Sequence, residues 1–137
     1  MSSRLVLDAS AALEVVLLRP SAAGILDLLD QAGVVYAPDL FATETANALW
    51  KHVKSGGLRR EEAFDLLEEA CDLVDSFLIA RDLAPEALAT AIAHGRPVYD
   101  SLYAVAARRT GATVVTLDQR LKRLLDAMKV PSEMPGL

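Results

Sequence analysis

Four acidic residues occupy positions at which an α/β fold would gather carboxylates. Asp8 directly follows the apolar run Leu5–Leu7, and Asp118 directly follows the run Val114–Leu117. Both runs are typical of short buried strands, so each acid is expected at the carboxyl end of a strand. That edge of a parallel sheet is where ligands bind in open α/β folds.

Two further acids lie near the starts of predicted helices. Glu44 belongs to the helical stretch Phe41–Lys54, and Asp100 begins the stretch Asp100–Thr110. A helix that follows a parallel strand begins at the same sheet edge, so all four carboxylates are expected to lie close together. Carboxylates that share one place repel each other, and a bound divalent cation offsets that repulsion. The first hypothesis is therefore a metal-dependent hydrolase.

Each acid also has a purely structural interpretation. Asp8, Asp100 and Asp118 all suit the N-cap of a helix, where a side-chain oxygen accepts backbone N–H groups. Glu44 suits a solvated position near the positive end of a helix dipole. Capping explains each acid separately. It does not explain why three junctions expected at one sheet edge all carry aspartate rather than serine, threonine or asparagine.

Two hydroxyl side chains lie close in sequence to the candidate acids. Ser10 lies just after Asp8. Thr116 precedes Asp118 on the same predicted strand, at a spacing that points both side chains the same way. Hydroxyls beside carboxylates orient a ligand or a water bound to a metal. Capping and strand positions use the same residue types more often, so both interpretations stay open.

Apolar residues on the predicted helices indicate the core. The stretch Asp100–Thr110 is apolar on nearly every face, which is typical of a buried helix. Phe41, Trp50 and Tyr103 stand at helical spacing. That spacing predicts core positions for these aromatic side chains rather than a platform on which nucleic-acid bases stack.

Strand-like and helix-like segments alternate along the chain. The predicted strands are Arg4–Asp8, Val34–Ala37, Phe77–Arg81 and Thr113–Leu117, and the tail Met128–Leu137 is at best an edge strand. The predicted helices are Ala11–Leu18, Ser21–Ala32, Phe41–Lys54, Arg60–Asp75, Pro85–His94, Asp100–Thr110 and Gln119–Ala127. Gly33 is predicted to end the second helix. Strands joined by helical crossovers imply a mainly parallel sheet with helices on both faces.

Length and composition favour one domain over residues 1–137. The chain is 53% hydrophobic and 24% charged, which suits a packed core and argues against disorder. Its 14 basic and 19 acidic residues leave a net charge of −5. That charge disfavours non-specific binding to nucleic acid, unless basic residues cluster or cations offset the acids. The short basic run Arg120–Arg123 lies next to Asp118 and could steer a phosphate toward the acids.

The sequence predicts a cytoplasmic protein that does not associate with membranes. Cys71 is the only cysteine, so no internal disulfide is expected. An acid follows Met1 too closely for a signal peptide. The longest apolar run, Leu102–Ala107, is too short to span a bilayer.

Four segments of the sequence together resemble the PIN-domain family, and in particular the VapC-type toxins of prokaryotic toxin–antitoxin pairs. Each segment contains one of the four acids, and together they cover the chain from Leu5 to about Leu125. The segments are Leu5–Leu13, Ala37–Trp50, Pro97–Ala106 and Val115–Leu121. Every acidic position of the family pattern carries an acid in this chain, as an active member of the family requires.

The resemblance implies a fold and a pocket. The fold is a three-layer α/β/α sandwich around a mainly parallel sheet of about four to five strands. The four acids are then expected to line one negatively charged pocket. The resemblance adds three auxiliary contacts, which are Ser10, Asn47 and Thr116.

The resemblance also implies an activity. It is that of a Mg²⁺- or Mn²⁺-dependent endoribonuclease that cuts RNA, forms a homodimer and is held inactive by a small antitoxin protein. Oxygen ligands suit either ion. On this interpretation Asp8, Asp100 and Asp118 hold metal, while Glu44 binds a second ion or orients the attacking water.

Other functions stay open from the sequence alone. The chain could be a PIN-like nuclease that processes RNA without being a toxin, or a PIN-like module that binds a partner without cutting RNA. A receiver-like phosphoacceptor also gathers acids at the end of a parallel sheet, but it needs an adjacent acidic pair after the first strand and a lysine after the last. Here Asp8 precedes Ala9, and Asp118 follows the last strand, so the sequence disfavours that design.

Overall fold

The computed structural model describes residues 3–136, which form five strands and seven helices. The strands are β1 (Ser3–Leu7), β2 (Ala32–Pro38), β3 (Ser76–Leu78), β4 (Thr113–Val115) and β5 (Ser132–Glu133). The helices are α1 (Ala9–Val16), α2 (Ala22–Gln31), α3 (Leu40–Lys54), α4 (Arg60–Asp72), α5 (Ala80–His94), α6 (Val98–Thr110) and α7 (Gln119–Met128). The predicted domain 1–137 and the predicted tail extend further, and their residues 1, 2 and 137 lie outside the described residues.

All paired strands are parallel, in the order β3-β2-β1-β4-β5. The central strands β1 and β4 are the apolar runs that precede Asp8 and Asp118, and such runs are typical of parallel strands covered on both faces. Leu7 pairs with Val115 at their carboxyl ends. The amide of Asp8 continues this pairing by donating to the carbonyl oxygen of Val115 at 3.2 Å. The sheet therefore places the first and last acids just beyond the carboxyl ends of two neighbouring strands.

Apolar side chains pack on both faces of the sheet, which makes a three-layer α/β/α sandwich and confirms the predicted fold class. One core joins the sheet to α5, α6 and α7. The other joins it to α1, α2 and α4 and includes Phe41 of α3. Every residue from Ser101 to Ala107 in α6 is buried, as predicted for this stretch. No helix within residues 3–136 is long and apolar enough to cross a membrane.

One predicted strand is too long, and the helix after it begins early. β3 ends at Leu78, and α5 begins at Ala80, so the strand predicted at Phe77–Arg81 is wrong at its end. Pro85 lies inside α5 rather than at its start. The helical hydrogen bond that Pro85 removes belongs to the carbonyl of Arg81, which is an exposed residue in the first turn of α5.

Two other predicted boundaries also shift. α2 ends at Gln31 because Ala32 already has an extended backbone (φ −75°, ψ 142°), and Gly33 lies within β2 rather than ending the helix. α6 begins at Val98, so Asp100 lies in its first turn rather than at its N-cap. The short β5 agrees with the prediction of at most an edge strand in the tail.

Candidate active site

The four predicted acids border one small cleft at the carboxyl edge of the sheet. Its volume is about 70 Å³. The cleft is lined by Asp8, Ala9, Ser10, Glu44, Asp100, Tyr103, Asp118 and Leu121. The four carboxylates come from the beginnings of α1, α3, α6 and α7, which the fold brings together at this edge.

Asp8 is the most buried of the four carboxylates, with 4% exposure. Its Oδ1 accepts hydrogen bonds from the Ser10 hydroxyl at 2.7 Å and the Ala11 amide at 2.9 Å. Its Oδ2 accepts a hydrogen bond from the Thr116 hydroxyl. Burial raises the pKa of Asp8 to about 6, although these hydrogen bonds favour the ionised form. Asp8 is thus both the N-cap of α1 and a wall of the cleft.

Two hydroxyl groups connect Asp8 with the segment that carries Asp118. The Ser10 hydroxyl, which donates to Asp8, accepts a hydrogen bond from the amide of Leu117 at 3.0 Å. The Thr116 hydroxyl also donates to Asp8, and it accepts from the amide of Asp118 at 2.9 Å. β4 ends before Thr116, so the predicted strand is too long, and hydrogen bonds rather than the pleat of a strand orient this side chain.

Asp118 and Asp100 each keep a carboxylate oxygen that has no hydrogen-bond partner among residues 3–136. Oδ1 of Asp118 accepts from the amides of Arg120 at 2.9 Å and Leu121 at 3.4 Å, which leaves Oδ2. Oδ2 of Asp100 is buried without a hydrogen-bond partner in the described chain. Burial raises the pKa of Asp100, the charge of Asp118 raises it further, and Arg120 and Arg96 lower it. Buried carboxylate oxygens without a donor are uncommon in folded proteins, so this oxygen suits an ion or water ligand.

Glu44 is half-buried on α3, and its Oε1 accepts a hydrogen bond from the Tyr103 hydroxyl at 2.5 Å. Burial raises the pKa of Glu44, the hydrogen bond lowers it, and the charges of Asp100 and Asp118 raise it. The core position predicted for Tyr103 is confirmed by its 3% exposure, but the sequence did not reveal that its hydroxyl reaches the cleft. One feature of the sequence did point to the cleft. Tyr103 follows Asp100 by one helical turn, a spacing that puts both side chains on one face of the helix.

Two residues singled out in the sequence lie away from the cleft. The core position predicted for Trp50 is wrong, because Trp50 is 55% exposed and lines a separate groove between α3 and α4. Asn47, which lies one helical turn after Glu44, is exposed and does not line the cleft. Phe41, by contrast, is fully buried as predicted.

The side chains of the cleft suit a hard divalent cation. Carboxylate and hydroxyl oxygens are the donors that Mg²⁺ and Mn²⁺ prefer, and Oδ2 of both Asp100 and Asp118 has no competing donor in the described chain. Among residues 3–136, no three histidine, cysteine or acidic side chains stand close enough to surround one ion by themselves. Because Mg²⁺ keeps several waters and takes only one or two carboxylates directly, the arrangement fits a partly hydrated ion.

Comparisons with known proteins agree with this architecture. The family model described as PIN domain matches residues 5–126. The chain is 33% identical over 130 residues to a protein named Ribonuclease VapC3 from Pyrobaculum aerophilum, and this match covers 93% of the chain and 99% of that protein.

Two solved structures share the fold. The crystal structure of PAE2754 from Pyrobaculum aerophilum has a TM-score of 0.70 and 24% identity, and the match covers 90% of this chain and 87% of that one. The crystal structure of VapBC2 from Rickettsia felis, bound to a DNA fragment from their promoter, has a TM-score of 0.66 and 16% identity, with 95% and 97% covered. At these identities the two structures establish the fold alone.

Proposed function

Because the chain belongs to the PIN-domain family, we propose that it is a Mg²⁺- or Mn²⁺-dependent endoribonuclease whose single domain, residues 1–137, hydrolyses RNA phosphodiester bonds. In this proposal the protein acts in the cytoplasm as the toxin of a type II toxin–antitoxin pair. The observation that carries the proposal is the convergence of Asp8, Glu44, Asp100 and Asp118 on one cleft. Similarity to a protein named as a ribonuclease, over nearly its whole length, supports RNA as the substrate.

The carboxylates divide the work in this proposal. A divalent cation bound in the cleft would stabilise the negative charge that develops on the phosphate, and it would lower the pKa of a bound water. Asp8, Asp100 and Asp118 would hold the cation, either directly or through its bound waters, and Glu44 would orient the attacking water or hold a second ion. The hydrogen bond from the Thr116 hydroxyl fixes the carboxylate of Asp8, so its direction does not depend on the ion.

Water is the nucleophile in this proposal, because a water bound to a divalent cation attacks phosphorus without help from a protein nucleophile. Ser10 contributes the aliphatic hydroxyl among the described lining residues. That hydroxyl donates to Asp8 and accepts from the amide of Leu117. These two hydrogen bonds tie the start of α1 to the segment that precedes Asp118, so the structure gives Ser10 a role in holding the cleft together.

Two arginines are suited to bind the RNA backbone beside the cleft. The charges of Arg120 and Arg96 lower the pKa of Asp100, so both act on the cleft electrostatically. Neither is paired with an acid in the part of the chain that the structure describes. They are therefore available to phosphates, and they offset the net charge of −5 where RNA approaches.

Cleavage of structured RNA by wild type and Asp100→Asn tests the activity. Wild type is expected to cut in Mn²⁺ and to stop when EDTA removes the ion. Asp100→Asn is expected to lose at least about a hundredfold in rate, because one ligand oxygen is replaced by a neutral amide. Asp30→Asn, at an exposed acid on α2, is the matched control and is expected to cut as wild type does.

Two outcomes separate the parts of the proposal. Full activity in Asp100→Asn would refute the site assignment, and cleavage that continues in EDTA would refute the dependence on metal. Growth arrest when the protein is expressed alone is expected of a toxin. Vigorous RNA cleavage in vitro without growth arrest would instead identify an RNA-processing nuclease.

We also propose that an antitoxin-type partner binds the apolar groove between α3 and α4. The groove has a volume of about 280 Å³ and is larger than the acidic cleft. Trp50 and Phe64 line it and are 55% and 62% exposed, so they form one continuous apolar surface, and surfaces of this kind mark binding sites. An apolar groove between two helices suits the apolar face of a third helix.

Charges at the groove specify the partner further. Lys54 Nζ lies 5.2 Å from the centre of the Trp50 ring, and Arg60 Cζ lies 5.5 Å from the centre of the Phe64 ring. The groove thus carries cations beside its two exposed aromatic rings. An amphipathic helix with acidic residues beside its apolar face complements it in both shape and charge.

Binding of the small antitoxin-type protein that we propose is encoded beside this chain tests the groove. Trp50→Lys is expected to weaken binding at least about tenfold, because it places a charge in the apolar contact. Leu18→Lys is the matched control, since Leu18 is 86% exposed on a different surface. Equal affinity of Trp50→Lys and wild type would refute this docking site.

The proposal includes a homodimer. Leu88 and Ile92 lie one helical turn apart on α5 and are 53% and 75% exposed. Exposed apolar residues on one helix face are typical of an interface between copies. Light scattering is expected to give twice the monomer mass for wild type and the monomer mass for Ile92→Lys. A monomeric wild type would refute the dimer.

A further inference from the structure

We propose that Tyr103 is a positioning residue that holds Glu44 for the divalent cation of the cleft, an inference that rests on the function proposed above. The Tyr103 hydroxyl donates to Glu44 Oε1 at 2.5 Å. Tyr103 lines the cleft together with the four acids, although it is only 3% exposed. The ring belongs to the core, and only the hydroxyl serves the site.

The partner of this hydroxyl is the first reason for the inference. A buried tyrosine hydroxyl needs a hydrogen-bond partner, and most side-chain hydrogen bonds go to the backbone or to water. Here the partner is a carboxylate of the cleft. A hydrogen bond to an ionised group is shorter and stronger than one between neutral groups, so it restrains the side chain of Glu44 effectively.

The position of the bond between two helices is the second reason. It is the side-chain hydrogen bond that joins α3 to α6 within residues 3–136. Tyr103 lies one helical turn after Asp100, so a single face of α6 carries one acid and the donor that fixes another. The separation between the carboxylates of Asp100 and Glu44 therefore depends on this hydroxyl.

Electrostatic repulsion is the third reason. In the described chain, the Tyr103 hydroxyl is the one hydrogen-bond donor to Glu44. The negative charges of Asp100 and Asp118 repel the carboxylate of Glu44. Without the hydroxyl, its half-buried side chain is free to turn toward solvent and away from those charges. Metal ligands need to be held within about 0.5 Å. Loss of a group that orients a ligand lowers metal affinity by about 10- to 100-fold.

Calorimetric titration of the full chain with Mn²⁺ alone, without RNA, tests the inference. Tyr103→Phe keeps the ring and removes the hydroxyl, and it is expected to weaken Mn²⁺ binding at least about tenfold. Its thermal unfolding temperature is expected to stay near that of wild type, because the packing of the ring is unchanged. Tyr36→Phe is the matched control, since Tyr36 packs against the same core but does not line the cleft.

A second substitution tests the same hydrogen bond without changing Tyr103. Glu44→Asp keeps the charge but is one methylene shorter, so its carboxylate withdraws from the hydroxyl. It is expected to weaken Mn²⁺ binding by about as much as Tyr103→Phe does. In a Glu44→Ala background, Tyr103→Phe is expected to change Mn²⁺ affinity by less than about twofold, because the carboxylate that it positions is absent.

The outcomes distinguish this inference from the function on which it rests. Wild-type affinity for Mn²⁺ in Tyr103→Phe, or an undiminished loss in the Glu44→Ala background, would overturn the positioning role and leave the nuclease proposal standing. A wild-type chain that binds no Mn²⁺ would overturn the metal-dependent function itself.

Discussion

Asp8→Asn is expected to make the metal-free protein more stable at neutral pH. Asp8 is 4% exposed, so folding removes an ionised carboxylate from water. Asparagine has nearly the same shape without the charge. Its amide oxygen can still accept the hydrogen bonds that Ser10 and Ala11 donate to Oδ1. The substitution therefore removes the charge and keeps most of the local hydrogen bonding.

The size of the effect follows from the pKa of Asp8. Burial raises that pKa from 3.8 to about 6, so the folded chain holds the proton more tightly than the unfolded chain. The stability that this proton contributes is complete below 3.8 and is lost as the pH rises through about 6. The loss amounts to about 3 kcal/mol at neutral pH. A chain with asparagine at position 8 does not lose this stability as the pH rises.

Urea unfolding followed by circular dichroism, in EDTA, measures the effect. The free energy of unfolding of Asp8→Asn minus that of wild type is expected to grow by about 2 kcal/mol between about pH 4 and pH 8, because part of the total change has already occurred by pH 4. Other titrating groups are common to both proteins, and their contributions cancel in the difference. Asp30→Asn is the control, and its difference from wild type is expected to change by less than about 0.5 kcal/mol.

A difference between Asp8→Asn and wild type that stays constant over this pH range would refute the reasoning, because Asp8 would then titrate alike in the folded and unfolded chains. Mg²⁺ is expected to act in the opposite direction at neutral pH. An ion that binds only the folded state stabilises it, so wild type gains stability and Asp8→Asn does not. Equal gains in both proteins would remove Asp8 from the proposed ligand set.

Three further substitutions test the site and the core. Arg120→Gln, made in the inactive Asp100→Asn background, is expected to reduce the slope of log affinity for single-stranded RNA against log salt concentration by about 0.7, because one phosphate contact is lost. Thr116→Val is expected to lower the free energy of unfolding by about 1–3 kcal/mol in urea titrations, because the amide of Asp118 loses its acceptor. In the same assay Leu124→Ala, at a residue that is 1% exposed, is expected to lower it by about 2–5 kcal/mol. Each substitution has a matched control. Arg123→Gln removes an exposed charge further along α7, and a slope change equal to that of Arg120→Gln would indicate a general charge effect. Thr43→Val removes an exposed hydroxyl, and Leu18→Ala truncates a side chain that is 86% exposed. Stability losses in these two controls as large as those of their buried counterparts would contradict the assignments.

The sequence predicted the parts of the molecule that follow from local patterns. The apolar runs before Asp8 and Asp118 belong to buried parallel strands, and strands of that kind carry their following residues to one edge of the sheet. The apolar stretch of α6 became a buried helix for the same reason, because no polar face was left for water. These features can be predicted without knowing which residues lie next to them in the fold.

The remaining features depend on neighbours that are distant in sequence. The hydroxyl of Tyr103 binds Glu44, which is 59 positions away in the sequence, and no local pattern predicts that contact. Trp50 lies on an apolar stripe, but the stripe does not reveal that α4 leaves this part of it uncovered. Pro85 suggested a helix start because proline breaks main-chain hydrogen bonds, yet α5 tolerates it near an exposed end.

The pairing of β1 with β4 has a consequence for a chain that is still being synthesised. Thr116 and Asp8, which share a hydrogen bond, are 108 positions apart in the sequence. An emerging polypeptide already carries Asp8 but cannot form the cleft until β4 and the start of α7 have left the ribosome and docked. The proposed nuclease is therefore harmless to its own messenger and ribosome while it is incomplete, and its activity begins only with the finished fold.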